Sequence, residues 1–385
     1  SSPIALGIGN GENYVVSDVD ALPENIEKII YLKDGNIALL KRDNFELYDF
    51  NNEVVEVLSQ SIRHKKTFSR SLGEFSSYLE KEIFKQPCSI RDTMRGRFTK
   101  EFDSVVLGGV NLEKKIKRVL FLGCGTAYNA GLLGKYYMEN IAGLPAAAEI
   151  SSEYKYKNTP PENGTLVVAI SQSGETADTL SAVKEAQDKG LDVIAITNTV
   201  MSSIARQVEE GIYQRIGPEI SVASTKAFTS QVTLILMLAI ALGRKNNLSE
   251  ADAKKYIQEL RKLPELMEQT LLNNKEVCKG LAAQLSMVTN INFLGRQYMY
   301  PIALEGALKL KELAYICTHG YASGELKHGP LASVDQGSFC FVIAPEKALK
   351  EKNVSTMKEI NSRKGRVVLI KQENQDFPKD CYYRS

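Results

Sequence analysis

The sequence predicts an α/β protein with two doubly wound parallel-sheet modules, preceded by a β-rich segment. Its 385 residues exceed what one hydrophobic core usually organises, so two or more domains are expected. Strands alternate with helices from residue 105 to 246. The run Asn290–Gly295 echoes residues 119–123, and each run leads into a helical pattern. Duplication of one α/β module accounts for both observations.

Composition and charge exclude several classes of protein. Hydrophobic residues make up 43% and charged residues 24% of the chain, and a net charge of +2 gives no support for nucleic-acid or membrane-surface binding. Six cysteines without a Cys-x-x-Cys pair, and three histidines, favour reduced intracellular thiols over a disulfide framework or a metal site. The most apolar stretch, residues 230–242, is predicted to be a buried helix, and no secretory signal opens the chain. We therefore expect a cytoplasmic protein.

Residues 1–58 predict the end of a larger β-rich domain. Short apolar runs alternate there with turn signals, and Asp34-Gly35 is typical of a hairpin turn. The segment is too small and too open-edged to be stable alone.

Residues 59–104 predict a linker that carries a docking helix. Residues 75–84 have amphipathic helical spacing, and basic clusters flank them at 63–66 and 91–97. The second cluster suits either a phosphate contact or a solvated interdomain face, and the latter is favoured.

Residues 105–246 predict the first α/β module. Strands separated by helices at this spacing imply a parallel sheet covered on both faces, which binds ligands at the carboxyl ends of its strands. The strands are expected at residues 118–123, 165–170, 193–197 and 212–216. Loops rich in small polar residues follow at 123–127, 171–176 and 222–225.

Residues 247–385 predict the second module. After helices over about 226–286, strands are expected at 290–295, 338–344 and 366–370. Since only a polar stub follows residue 370, this copy is expected to be truncated.

A hydroxyl-rich turn follows the strand predicted at 165–170. Ser171, Ser173 and Thr176 surround Gly174 and precede a helical pattern. Unpaired N–H groups and the helix dipole favour an anion at such a helix start. The alternative is an ordinary Ser/Thr helix cap. Because three hydroxyls converge, the phosphate site is favoured.

A Gly-x-Gly turn at 123–125 invites comparison with dinucleotide-binding loops. The third glycine of that pattern is absent, since position 128 is Tyr, and no acidic residue closes a following strand. We expect no nucleotide cofactor, and the turn suits close approach to a small phosphorylated ligand.

Three charges lie at helical spacing in the second module. Glu305, Lys309 and Glu312 occupy positions i, i+4 and i+7 on an otherwise largely apolar helix. The spacing alone slightly favours a surface helix with an ion pair. Charges with so little polar surface around them are costly unless they are paired in a cleft. A carboxylate beside a lysine can also move a proton next to a carbonyl.

His328 lies in the Gly/Pro-bounded stretch 324–330. Histidine titrates near neutrality and suits proton transfer to a sugar ring oxygen. A purely structural role is equally compatible with the sequence.

Taken together, these stretches resemble the glutamine:fructose-6-phosphate aminotransferase (isomerizing) family, also called glucosamine-6-phosphate synthases. Residues 171–179, 219–228, 304–312 and 324–330 are similar to its sugar-phosphate and isomerase motifs, and the match runs from residue 1 to about 370. The resemblance implies two sugar-isomerase (SIS) domains. It also implies that 1–58, including Ser17–Leu22, is the remnant of an Ntn-hydrolase glutaminase (type 2) domain.

The resemblance implies formation of glucosamine 6-phosphate from fructose 6-phosphate, for UDP-N-acetylglucosamine biosynthesis. Glu312 is then the base that moves a proton between C1 and C2 of the imine, and Lys309 and Glu305 assist it. His328 opens the sugar ring and comes from the neighbouring subunit, which implies a homodimer. The residues implied to hold fructose 6-phosphate are Thr126, Ser171, Gln172, Ser173, Thr176, Val222 and Ser224.

The chain departs from the family pattern in several places. Ala127 stands where the family usually has Ser, which removes a phosphate donor worth about 1.5–3 kcal/mol. Gln297 stands where Gly is common. The resemblance also implies that most of the glutaminase domain and the family's C-terminal tail are missing. The alternatives are therefore a catalytically inactive or regulatory sugar-phosphate-binding fragment, or a different SIS aldose–ketose isomerase.

Overall fold

The computed structural model describes residues 4–17, 22–23, 25–32, 35–55, 60–61 and 71–382. The basic cluster at 63–66, Asp34 of the predicted hairpin, and residues 18–21 of the glutaminase-like stretch lie outside these ranges. The described strands are β1 (Ala5–Ile8), β2 (Asn13–Val16), β3 (Lys28–Tyr31), β4 (Ile37–Leu40), β5 (Phe45–Tyr48), β6 (Gln60–Ser61), β7 (Arg118–Gly123), β8 (Ala146–Ile150), β9 (Thr165–Ile170), β10 (Asp192–Thr197), β11 (Gly211–Tyr213), β12 (Asn290–Gly295), β13 (Cys317–Ala322), β14 (Phe339–Ile343) and β15 (Arg366–Ile370).

The helices are α1 (Tyr78–Met94), α2 (Thr126–Tyr137), α3 (Ser151–Tyr154), α4 (Ala177–Asp188), α5 (Ser203–Val208), α6 (Lys226–Lys245), α7 (Glu250–Leu285), α8 (Met299–Ala314) and α9 (Lys350–Ser362). A π-helical turn, Met138–Ala142, extends α2, and three short 3-10 turns lie at Ser323–His328, Pro330–Ser333 and Lys347–Leu349.

The N-terminal part is β-rich, as the sequence predicts. Antiparallel strands form one sheet in the order β2-β1-β3-β6 and a second sheet from β4 and β5. A small core of Leu6, Ile30 and Leu47 lies among them. The predicted hairpin is wrong, because the strands on either side of residues 34–35 pair elsewhere: β3 with β1 and β6, and β4 with β5.

Helix α1 extends beyond the predicted 75–84. Ser77 caps its start by accepting the Glu80 N–H at 3.1 Å. The helix packs against α6 and α7. The basic cluster at its end is divided in exposure: Arg91 pairs with Glu265 at the surface, whereas Arg97 is buried and donates to the Tyr213 carbonyl. Burial lowers the pKa of Arg97 to about 10.

The first module is a five-stranded parallel sheet in the order β11-β10-β9-β7-β8. Alternate residues of β9 enter two separate cores: Leu166 and Val168 pack towards α2 and α6, and Val167 and Ala169 towards α4 and α5. Both faces are therefore covered, as parallel sheets require. The sequence missed β8, an alanine-rich strand with low intrinsic β-propensity.

Helix α6 is longer than its predicted apolar centre. By length and hydropathy it could cross a membrane, but 78% of its apolar window is buried inside the protein. Its buried face includes Leu234, Leu238 and Leu242 and fills the core of the first module. The burial is typical of the core helix of a globular domain.

The second module is a four-stranded parallel sheet in the order β13-β12-β14-β15. The sequence missed β13, whose Cys-Thr-His-Gly-Tyr-Ala run has no apolar pattern. The supposed polar stub after residue 370 is wrong in part, since Phe377 and Cys381 are buried in the core of this module. The long helix α7 packs its N-terminal portion, through Ala253, Ile257 and Leu260, into the core of the first module. The limits assigned to the four domains stay predictions.

Candidate functional site

The loop 171–176 connects β9 to α4 at the carboxyl edge of the first sheet. Ser171 Oγ lies 3.0 Å from Thr176 Oγ1 and accepts the Gly174 N–H at 3.0 Å. Thr176 is the N-cap residue of α4, but its side chain makes no capping hydrogen bond. The hydroxyls therefore shape the turn rather than cap the helix, which favours an anion site over an ordinary Ser/Thr cap.

The same loop requires glycine at its centre. Gly174 has φ +68°, and a Cβ built there would lie 2.0 Å from Ser202 Oγ. Ser173 Oγ accepts the N–H two residues on, at 3.1 Å, and the Gln172 carbonyl accepts from Asn198 N at 2.9 Å. The turn is thus fixed on several sides while Gln172 and Ser173 stay partly exposed.

The turn before α2 brings Thr126 to the second module. Gly125 has φ +53°, and Gly123 lets α2 start against the strand, because a Cβ there would lie 2.7 Å from the Ala127 carbonyl carbon. Thr126 Oγ1 donates to Glu305 Oε1 at 2.9 Å and accepts from Lys309 Nζ at 3.0 Å. The structure therefore brings Thr126, which is predicted to bind the sugar phosphate, into direct contact with the charged face of α8 that is predicted to be catalytic.

The third loop precedes α6. Val222 is 93% exposed, and Ser224 Oγ donates to Glu219 Oε2 at 2.9 Å. Glu219 Oε1 accepts the N–H groups of Thr225 and Ala227 at 2.9 and 3.1 Å, so this carboxylate caps α6. Burial raises the pKa of Glu219. The sequence predicted no role for Glu219, because it lies six residues before the N-cap Thr225, whereas the signals of a helix start lie directly at the cap.

The charges predicted on α8 do share one face. Lys309 Nζ lies 2.8 Å from Glu312 Oε2 and 3.4 Å from Glu305 Oε1. Their exposure differs: the side chains are 7% exposed at Glu305, 18% at Lys309 and 33% at Glu312. Of the two carboxylates, Glu312 is therefore the one that a ligand can reach more easily.

Glu305 has both carboxylate oxygens occupied. Oε1 accepts from Thr126, and Oε2 accepts from Asn129 Nδ2 at 2.8 Å. Asn129 is buried on α2, three residues after Thr126, so the two donors lie on one helix face. The sequence analysis missed Asn129, because its partner is on another module. Because both oxygens already accept hydrogen bonds, Glu305 is better suited to holding Lys309 and Thr126 in place than to accepting a proton.

The structure does not bring His328 to these charges. His328 ends the 3-10 turn Ser323–His328, is exposed, and within the described ranges makes no side-chain hydrogen bond or ion pair. Its contribution from a neighbouring subunit therefore stays a prediction.

The turn before α8 resembles the turn before α2. A Cβ on Gly295 would lie 1.9 Å from the Met299 carbonyl oxygen, so the helix again starts against the strand. Gln297 has φ +48°, a left-handed conformation that favours glycine. Arg296, beside it, donates to Thr356 Oγ1 at 3.0 Å, and burial lowers the pKa of Arg296.

Among the described residues, no group of three or more His, Cys, Asp and Glu side chains is arranged to hold a metal ion. All six cysteines are free thiols. The candidate site therefore consists of hydroxyls, backbone N–H groups and the charges of α8.

Comparison with known proteins agrees with this geometry. The SIS domain family matches residues 114–241 and 284–377, and each matched stretch contains one of the two parallel sheets. The chain is 40% identical over 378 residues to a glutamine–fructose-6-phosphate aminotransferase (isomerizing) of Caldanaerobacter subterraneus, covering 97% of this chain and 62% of the relative. It is 41% identical over 379 residues to the protein of that name from Chlorobaculum tepidum, covering 97% and 61% respectively.

The chain thus spans about three-fifths of the length of the curated relatives it matches. Among solved structures, it is similar to the C-terminal domain of glucosamine-fructose-6-phosphate aminotransferase from Francisella tularensis. The TM-score is 0.76 at 35% identity, covering 79% of this chain and 86% of that one. The chain belongs to the SIS domain family and, within it, to the branch that contains the C-terminal domain of glucosamine-fructose-6-phosphate aminotransferase.

Proposed function

We propose that the chain binds fructose 6-phosphate and carries out the isomerising half of glucosamine 6-phosphate synthesis. The observation that carries the proposal is the contact of Thr126 with Glu305 and Lys309. This contact sets the turn at 123–127 of the first module beside the charged face of α8. A ligand held at Thr126 then has Lys309 and the Glu312 carboxylate paired with it nearby.

Substrate binding is assigned to the first module. Ser171, Ser173 and Thr176 provide neutral donors for phosphate oxygens at the start of α4, where the helix dipole favours an anion. Thr126, Gln172 and Ser224 complete the polar contacts, and exposed Val222 covers an apolar part of the sugar.

The chemical step is assigned to Glu312. Ammonia adds to the C2 carbonyl of the open-chain ketose and water leaves, which gives an imine. The Glu312 carboxylate removes a proton from C1 while the imine nitrogen takes up a proton from solvent, which gives an enolamine. The same carboxyl then returns its proton to C2 while the C1 hydroxyl loses its proton to solvent, so that C1 becomes the aldehyde carbon and C2 carries the amine. Lys309 lies 2.8 Å from Glu312 and stabilises the negative charge that develops on the sugar during the proton transfer. His328 of a second subunit opens the sugar ring before these steps.

The wider context belongs to the same proposal. The proposed amino donor in the complete enzyme is glutamine, the product feeds UDP-N-acetylglucosamine synthesis, and the enzyme works as a cytoplasmic homodimer. The described β-rich residues between 4 and 61 are assigned to the end of the glutaminase domain.

A product assay tests the proposal. The chain is incubated with fructose 6-phosphate and ammonia, and both glucosamine 6-phosphate and glucose 6-phosphate are measured. Substitution Glu312→Gln removes the base but keeps the shape, so we expect the turnover number to fall by about 10²–10⁴-fold while sugar binding persists. Substitution Glu276→Gln, at an exposed acid of α7 that pairs with Lys279, serves as the control and leaves turnover unchanged.

The outcomes separate the alternatives. Ligand-dependent thermal stabilisation without product formation would replace the enzyme proposal with a non-catalytic sugar-phosphate-binding module. Neither product nor stabilisation would leave only the family fold.

A further inference from the structure

We propose that Glu82, on α1, is a positioning residue that fixes the loop 219–225 and thereby sets the affinity of the sugar site. Glu82 lies on the helix that precedes the first sheet, and Ile90 and Met94 of the same helix pack in the core of the first module. The identity of the ligand in this inference rests on the proposed function. The contact between the helix and the loop does not.

The Glu82 carboxylate is buried and holds two successive residues of the loop. It is 3% exposed, and its oxygens accept the Ile220 N–H at 2.6 Å and the Ser221 N–H at 3.2 Å. The Ser221 hydroxyl donates to it as well. A buried carboxylate is costly unless its oxygens are satisfied, and here three donors from one loop satisfy it. The carboxylate and the loop conformation therefore stabilise each other.

The far side of the loop is fixed by other charged groups. Lys226 is 4% exposed, and its ammonium donates to the carbonyls of Ile216 and Pro218 at 3.1 and 2.6 Å. Glu219 holds Ser224 and the start of α6. Burial lowers the pKa of Lys226, and the charges of Glu82 and Glu219 oppose that shift.

These contacts leave the tip of the loop exposed to solvent. Ser221 is held by Glu82 and Ser224 by Glu219, and between them Val222 is 93% exposed. Glu82 lies 138 residues before Ile220 in the sequence. Its helix thus determines the positions of Val222 and Ser224, which are proposed to contact the sugar. Since α1 packs against α6 and α7, its own position is fixed independently of the loop.

The test variant is Glu82→Gln. The amide keeps the size of the side chain but has one acceptor oxygen, so one loop N–H loses its partner. We expect the dissociation constant for fructose 6-phosphate to rise about tenfold, as for loss of one hydrogen bond to a charged group. In the ammonia-dependent assay, KM should rise by a similar factor while kcat changes less than twofold.

The matched control is Glu80→Gln, two residues earlier on α1. Glu80 accepts from Ser76 N at 3.0 Å and pairs with Lys275 at 3.6 Å, away from the loop. Its substitution should leave both KM and the dissociation constant unchanged. Equal effects of the two variants, or a fall in kcat at constant KM for Glu82→Gln, would overturn the positioning role.

Hydrogen–deuterium exchange separates this inference from the proposed function. In Glu82→Gln, peptides that contain Ile220 and Ser221 should exchange faster, while those of β9 should not change. If the parent chain fails to bind fructose 6-phosphate, the proposed function fails, but faster exchange at 220–221 still supports the loop contact. Unchanged exchange at these amides would overturn the inference itself.

Discussion

In the first module the candidate site groups are hydroxyls and backbone N–H groups in loops, whereas in the second they are charges along one helix. The loop 171–176 offers neutral donors at the start of α4. Helix α8 offers Glu305, Lys309 and Glu312 in one connected chain of contacts. In the proposed function, the first module therefore recognises the sugar phosphate and the second transfers the proton, so a contact between the two modules must fix their relative position.

That contact lies between α2 and α8. Thr126 and Asn129, both on α2, hold the two oxygens of Glu305 on α8. Both helices begin at the turn that follows a strand ending in glycine, at Gly123 and at Gly295. The same local arrangement, a strand that ends in glycine followed by a turn, therefore places one helix of each module against the other module. Three substitutions test the contact between these helices, the ligand loop beside it and the equivalence of the two helix starts.

Substitution Asn129→Leu should have the largest effect. It leaves one oxygen of a buried carboxylate without a donor, so we expect the free energy of unfolding to fall by about 3 kcal/mol. Chemical denaturation measures this change. The control is Asn140→Leu, because Asn140 also reaches the second module, through Tyr298 at 2.8 Å, but is exposed. Similar losses in the two variants would contradict the special weight given to Glu305.

Substitution Ala127→Ser should sharpen the binding role of the first module. The residue lies at the start of α2 beside Thr126, and a hydroxyl there adds a donor for a charged phosphate. We expect fructose 6-phosphate to bind about tenfold more tightly in titration calorimetry, with kcat nearly constant. Both alanines lie in the core of the first module, but Ala127 is 9% exposed whereas Ala130 is fully buried, so Ala130→Ser should give no such gain. A change in kcat alone would contradict the division of labour between the modules.

Substitution Gln297→Gly tests the equivalence of the two helix starts. Gln297 has φ +48°, whereas the corresponding turn of the first module uses Gly125 at φ +53°. Glycine relieves a left-handed conformation but adds freedom to the unfolded chain, so we expect a net gain of about 1 kcal/mol in the free energy of unfolding. Substitution Gln187→Gly, within α4, should instead lose about 1 kcal/mol. Destabilisation by both glycines would contradict the proposed equivalence.

The sequence predicted best what local pattern determines. Strand β9 is a continuous apolar run, and the charges of α8 share a face because their spacing matches the helical repeat. The sequence did not predict strands β8 and β13. An alanine-rich run and a Cys-Thr-His-Gly run have little strand propensity of their own, and they form strands by pairing with β7 and β12.

The site residues missed by the sequence analysis are those with tertiary partners. Asn129 reaches Glu305 and Glu82 reaches Ser221 across more than 130 positions of the chain. No spacing rule links such pairs. Glu219 was missed although its partners are close in sequence, because it lies six residues before the N-cap Thr225, outside the positions where capping residues are expected. Distance in sequence, rather than chemistry, therefore limited the prediction of the site.

The hydroxyl of Thr126 has a single hydrogen, and that hydrogen is already given to Glu305. A phosphate that takes it as a donor deprives the buried carboxylate of that partner, and Lys309 is then the remaining neighbour of that oxygen at 3.4 Å. In the proposed function, occupied and empty states of the sugar site would differ by one redirected O–H bond. Ligand binding in one module would then change the hydrogen bonding of a buried carboxylate in the other.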